Sequence, residues 1–137
     1  MAAKRKDIAE MLTELGYSSV DAGDGNLAVD VVFDDGRRQT VFISKECETI
    51  DKVAFRHIWS PAFSSSGKVS DKLAYQLLAN SHGRIFGAWV LDEKAKVVYF
   101  SAKVIDNFTA KQLDTIITAI ASDADSMEKK LVGKDEM

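Results

Sequence analysis

Around Asp35-Gly36 the chain passes from one period-two stretch to another, and this pair of strands constrains the fold more than any other feature. Leu27, Val29, Val31 and Phe33 alternate with Ala28, Asp30 and Val32, the spacing that sends side chains to opposite faces of a strand. A type I′ turn needs positive φ at both central residues, so Asp35-Gly36 predicts a two-residue hairpin loop. That loop sets Val31 opposite Thr40 and Val29 opposite Phe42, with Arg38 to Ser44 as the returning strand.

A third strand is predicted over Ile50 to Trp59, with Val53, Phe55, His57 and Trp59 on one side. Pro61 removes the donor needed to continue it. Ser18 to Asn26 reads as a loop, and Phe63 to Val69 as a polar connection through Ser64-Ser65-Ser66-Gly67. Two further alternating stretches, Arg84 to Leu91 and Lys96 to Val104, are joined by Asp92-Glu93-Lys94-Ala95 and make a second hairpin.

Three segments carry helical spacing. Ile8, Met11, Leu12 and Leu15 form one stripe, with Asp7 and Glu10 as a capping pair and Gly16 as a stop. Ser70 caps a second helix whose buried stripe is Leu73, Ala74, Leu77 and Leu78, ending over Asn80 to Gly83. In the third, Thr109 and Gln112 form a capping box while Phe108 and Leu113 make a hydrophobic staple. Leu113, Ile117, Ile120, Ala124, Met127 and Leu131 continue its apolar stripe, with Gly133 as the stop. The order is α-β-β-β-α-β-β-α, an α+β domain with a largely antiparallel five-stranded sheet and three helices.

The strands are apolar on both sides. Under the Asp35-Gly36 register, Val29, Val31, Phe33 and Phe42 share one face, and Val32, Val41 and Ile43 the other. A sheet with one wet face alternates cleanly, and three helices cover one face of five strands more readily than two. The surplus apolar surface predicts a contact site for another chain, with Val29, Val31, Val32, Val41, Phe42 and Ile43 as its candidates.

Composition narrows the function classes. The 137 residues, 46% hydrophobic and 28% charged, suit a single domain over 1–137. Lys+Arg 18 against Asp+Glu 21 gives a net charge of -3, with no pull toward nucleic acid or anionic membrane. Lys4-Arg5-Lys6 is followed by Asp7 and an interrupted amphipathic segment, unlike a signal peptide. The longest apolar run, Ile85 to Leu91, falls far short of the about 20 residues that span a bilayer. A cytoplasmic location is expected, without membrane or nucleic-acid partners.

No motif requires catalysis, a cofactor or a metal. Gly23 to Ala28 matches the loose dinucleotide pattern, but a helix precedes it and a strand follows, so a turn is expected. Gly67-Lys68 lacks the first glycine and the hydroxyl residue of a phosphate loop. Asp21, Asp24 and Asp30 lack the oxygen ligands of a calcium loop. Cys47 has no internal disulfide partner, and Glu46 and Glu48 oppose its thiolate. His57 and His82 lack metal-ligand spacing and read as a strand residue and a loop residue.

The element order resembles that of the class I type III secretion chaperones, small acidic proteins that dimerise and hold an extended segment of a secreted partner. The stretches Lys72-Leu73-Ala74-Tyr75-Gln76-Leu77-Leu78-Ala79-Asn80, Gly87-Ala88-Trp89-Val90-Leu91-Asp92 and Val97-Val98-Tyr99-Phe100, ending in Ala124-Asp125, resemble the YbjN family. These bacterial sensory transduction regulator-like proteins share that fold, and the likeness covers residues 27–131. It implies a non-enzymatic, dimeric protein-binding or regulatory domain. With no cofactor expected, the mechanism that suits the two-faced sheet is apolar burial, with strand addition at a sheet edge, because main-chain pairing tolerates varied partner sequences. The alternatives are a dedicated chaperone for one secreted effector, and a small-molecule sensor or unrecognised enzyme with a pocket between the sheet and the Ser64 to Ser70 loop.

Overall fold

The computed structural model of the chain describes residues 7–64, 69–94 and 96–135, with side chains as far as residue 130. Lys4-Arg5-Lys6, Ser65 to Lys68, Ala95 and the side chain of Leu131 lie outside the described residues.

The helices start where their caps direct. Before α1 (Ile8–Glu14) the Asp7 carboxylate accepts the Glu10 N–H at 2.9 Å, and Gly16 takes φ 90° just past its end. Ser70 caps α2 (Asp71–His82) by accepting the Leu73 N–H at 3.1 Å. His82, expected in a loop, is the last residue of that helix. At α3 (Ala110–Asp135) the capping box is reciprocal: Thr109 Oγ1 accepts the Gln112 N–H at 3.1 Å, and Gln112 Oε1 accepts the Thr109 N–H at 2.9 Å. Gly133 does not stop this helix, which runs on to Asp135; one glycine costs a helix only about 1 kcal/mol.

The sheet has seven antiparallel strands where five were expected, in the order β1-β2-β3-β5-β7-β6 with β4 paired beside β5. The strands are β1 (Val20–Gly23), β2 (Asn26–Val32), β3 (Arg38–Ser44), β4 (Glu48–Ile50), β5 (Val53–Ser64), β6 (Ala88–Asp92) and β7 (Val97–Ile105). β1 lies inside the expected loop, turned onto β2 by Asp24 and Gly25 at φ 51° and 74°. The glycine-rich stretch is therefore a turn, as its context suggested. Asp51 and Lys52, at φ 49° and 70°, fold β4 back on β5, so the single strand expected over 50–59 is two.

β5 also continues through Pro61, which pairs with Tyr99 of β7. On the β3 side, side chains replace the ladder that proline cannot complete. Ser60 Oγ donates to the Thr40 carbonyl, and Gln39 Nε2 donates to Ser60 Oγ and the Pro61 carbonyl. A bulge follows between Pro61 and Phe63. β6 begins at Ala88, later than the expected Arg84, and leaves Ile85 fully exposed before it.

The first hairpin departs from its expected register. Val29 pairs with Val41, Asp30 with Thr40 and Val31 with Gln39, one residue away from the two-residue loop arrangement. Asp34, Asp35 and Gly36 form the loop instead, with the Gly36 N–H on the Phe33 carbonyl at 2.9 Å and only Gly36 at positive φ. A one-residue shift moves a strand's whole side-chain set to the other face. Here it brings Leu27, Val29 and Val31 onto the same side as Val41 and Ile43, where all five are buried.

All three helices cover that side. Ile8, Met11 and Leu12 of α1 and Leu113, Ile117 and Ile120 of α3 pack with those strand residues, Ile58 and Phe100. A smaller cluster joins Leu77 of α2 to Ala62, Val98 and Met127. Leu78, expected in the buried stripe of α2, is 72% exposed.

Candidate functional site

The face opposite the helices is built by register. Ala28, Phe42, Trp59 and Ser101 are successive partners across β2, β3, β5 and β7, and Ala88 of β6 pairs with Ser101. Along β5 and β7 the same face carries His57 and Tyr99. Phe42 and Trp59 stack with ring centroids 5.5 Å apart at 19°, and His57 stacks on Trp59 at 4.3 Å and 21°. Tyr99 tilts against His57 at 6.3 Å and 55°. Each of the four rings is half-buried, and among the described residues no helix packs above it. Val32, Val90 and Ile105 extend the apolar surface to the margins of the face.

Several polar groups on this face are engaged. His57 Nε2 lies 2.7 Å from Ser101 Oγ, and the His57 N–H donates to Ser44 Oγ at 3.1 Å. Burial pushes the His57 pKa below its usual value, Lys103 adds to that, and Glu48 opposes it. Burial also raises the Tyr99 phenol, with the Asp92 charge adding to the effect. Lys103 pairs with Glu48 at 2.8 Å, an interaction that holds the Glu48 carboxyl below its ordinary range. Arg38 faces Asp30 at 4.0 Å, and Lys45 pairs with Asp21 at 2.8 Å.

An aromatic strip bordered by neutralised ion pairs favours apolar contact over a phosphate backbone, which needs cations free to displace counterions. The His57–Ser101 contact has the spacing of a nucleophile and its base. Among the described residues, however, no carboxylate hydrogen bonds to the His57 ring.

The six nominated contact residues do not form one surface. Val29, Val31, Val41 and Ile43 are 2%, 8%, 0% and 0% exposed beneath the helices, which corrects their assignment to a contact face. Phe42 belongs to the aromatic strip, and Val32 lies on the same face at its margin, beside the hairpin tip at 57% exposure. Trp59, His57 and Tyr99 were missed. Their signal was the alternation that places Phe55, His57 and Trp59 on one side of the third strand; the misplaced register hid which side stayed open.

Among the described residues no group of three or more His, Cys, Asp or Glu side chains could hold a metal ion, and no helix is long and apolar enough to cross a membrane. Compared with known proteins, the chain matches no family model and no curated protein.

Proposed function

We propose that this chain is a non-enzymatic, cytoplasmic protein-binding or regulatory domain of the YbjN and secretion-chaperone-like type. Its open sheet face takes the apolar surface of a protein partner, a second copy of the chain included. The observation that carries this reading is the Phe42–Trp59–His57–Tyr99 strip, half-buried in the monomer while all three helices lie on the other face. Contact with a partner completes the burial of rings that already exclude part of their water. The element order lends support: with β1 and β4 set aside, the remaining elements run α-β-β-β-α-β-β-α.

Trp59→Lys tests the face without entering the core. The expected result is a cooperative thermal transition close to wild type, with self-association in sedimentation or partner capture from the native cytoplasm weakened by roughly thirtyfold or more, the loss typical of a central tryptophan. Val41→Asp is the control that puts a charge among fully buried residues, and it loses the fold. A folded Trp59→Lys protein that associates like wild type removes the open face from consideration.

A further inference from the structure

A cavity of about 620 Å³ lies between α2 and the β6–β7 hairpin, within the size range of small-molecule sites. Ala74 and Leu77 line it from α2, Trp89 and Leu91 from β6, and Val98 from β7. Its polarity runs along its length. At one end, Ser81 Oγ near the end of α2 accepts the Trp89 N–H at 3.0 Å, and Asn80 Oδ1 accepts the indole N–H at 2.8 Å. The polar groups of Trp89 are thereby taken, which leaves its ring as an apolar wall. The same Ser81 bond occupies an edge N–H that an added β-strand needs, so α2 closes this end of the groove.

Because α2 and β6 run antiparallel, Asp71 at the start of α2 lies toward the other end, with Glu93 and Lys96 of the β6–β7 turn. These three side chains have no ion-pair partner among the described residues. Two carboxylates against one ammonium leave that end net negative.

We propose that this groove binds a single-chain amphiphile with a cationic head, its apolar tail between Ala74, Leu77, Trp89 and Val98 and its head between the Asp71 and Glu93 carboxylates. The groove meets the open sheet face only at Val90 on the β6 edge, and the proposal does not rest on the reading of that face.

The test compares decylammonium, decanol and decanoate as probes of matched chain length. In a Trp59→Phe background Trp89 is the sole tryptophan, since the chain has Trp 2. The expected result is a saturable change in Trp89 emission and a melting temperature that climbs with ligand concentration. Decylammonium binds most tightly and decanoate least. Asp71→Asn with Glu93→Gln weakens decylammonium roughly tenfold, the scale of one charge-assisted contact, and leaves decanol unchanged. Ala74→Trp fills the groove and abolishes binding of all three, read by the melting temperature because the variant adds a second tryptophan; Leu91→Trp, at the exposed lip and read in the same way, serves if the first variant fails to fold. The proposal is overturned by the absence of saturable binding, by binding that survives the filled groove, or by affinities indifferent to the head group. A dimer in sedimentation that the filled groove disperses also overturns it, because a second copy then occupies the site.

Discussion

Arg56 is 6% exposed, and its guanidinium closes one end of the core. Nε and one terminal nitrogen hold the Asp106 carboxylate at 2.9 and 3.2 Å, while the other terminal nitrogen donates to the Ser44 and Lys45 carbonyls at 2.6 and 2.9 Å. One side chain therefore ties β5 to the end of β3 and to the loop entering α3. Arg56→Ala takes this donor away from two carbonyls and a partly buried carboxylate, and the expected loss is about 3 kcal/mol in urea unfolding. Arg56→Lys recovers only part of it, because an ammonium lacks the planar fork. Tyr17 makes a second long-range tie, donating its hydroxyl to Asp114 Oδ1 at 2.7 Å. Burial, with the Asp114 hydrogen bond adding to it, pushes the phenol up to about 12. An unfolded tyrosine ionises near about 10, so across that interval the folded state holds more protons than the unfolded one. Stability is expected to fall as pH rises from about 10 to about 12, and Tyr17→Phe should flatten that fall in thermal melts.

At the scale of elements, local chemistry and long-range burial were legible to different degrees. The capping box at Thr109 and the stripe from Leu113 to Met127 depend only on near neighbours, and both appear in α3 as expected. The Asp35-Gly36 loop does not, because its register is decided by which residues can be buried together. Pairing Leu27 with Ile43 and Val29 with Val41 buries all four, and this outweighs the preference for a two-residue turn. β1 and β4 are too short to announce themselves by alternation. Pro61 was misread for a related reason: the Gln39 and Ser60 side chains that carry the strand past it come from pairing invisible locally. The hairpin tip is also anchored from a distance. Arg37 donates through Nε to Asp125 of α3 at 3.0 Å, and Lys129 reaches Asp35 at 3.3 Å. Asp125 is 7% exposed, so Asp125→Ala is expected to cost about 1–3 kcal/mol and to raise amide exchange at the tip of β2 and β3 ahead of the rest of the sheet. Uniform exchange across the sheet would show that α3 does not anchor the tip.

For the whole molecule, the decisive asymmetry is three helices on one side of a seven-stranded sheet. The excess of apolar strand residues was visible in the sequence, but which of them remain uncovered depends on register and on where α2 packs. His57 sits in the middle of the uncovered side, between Trp59 and Tyr99, with a pKa held below its usual value mainly by burial. In the unfolded chain it protonates near about 6.5, whereas the folded protein resists the proton. The unfolded state therefore binds more protons as pH falls below that value; the contribution is complete above it and is lost as pH drops through the lower folded value. A partner laid over the face buries the ring further and lowers its pKa again, so association should weaken on acidification by the same linkage. Glu48 and Lys103, the charged pair beside the ring, act on it in opposite senses, Lys103 lowering its pKa and Glu48 raising it, while burial is the largest cause of the shift. The measurement is self-association by sedimentation at about pH 7.5 and about pH 5.5, for wild type and His57→Asn. Wild type is expected to dissociate more readily at the lower pH, while the variant changes little. Equal weakening in both proteins would place the proton uptake elsewhere and separate His57 from the proposed contact.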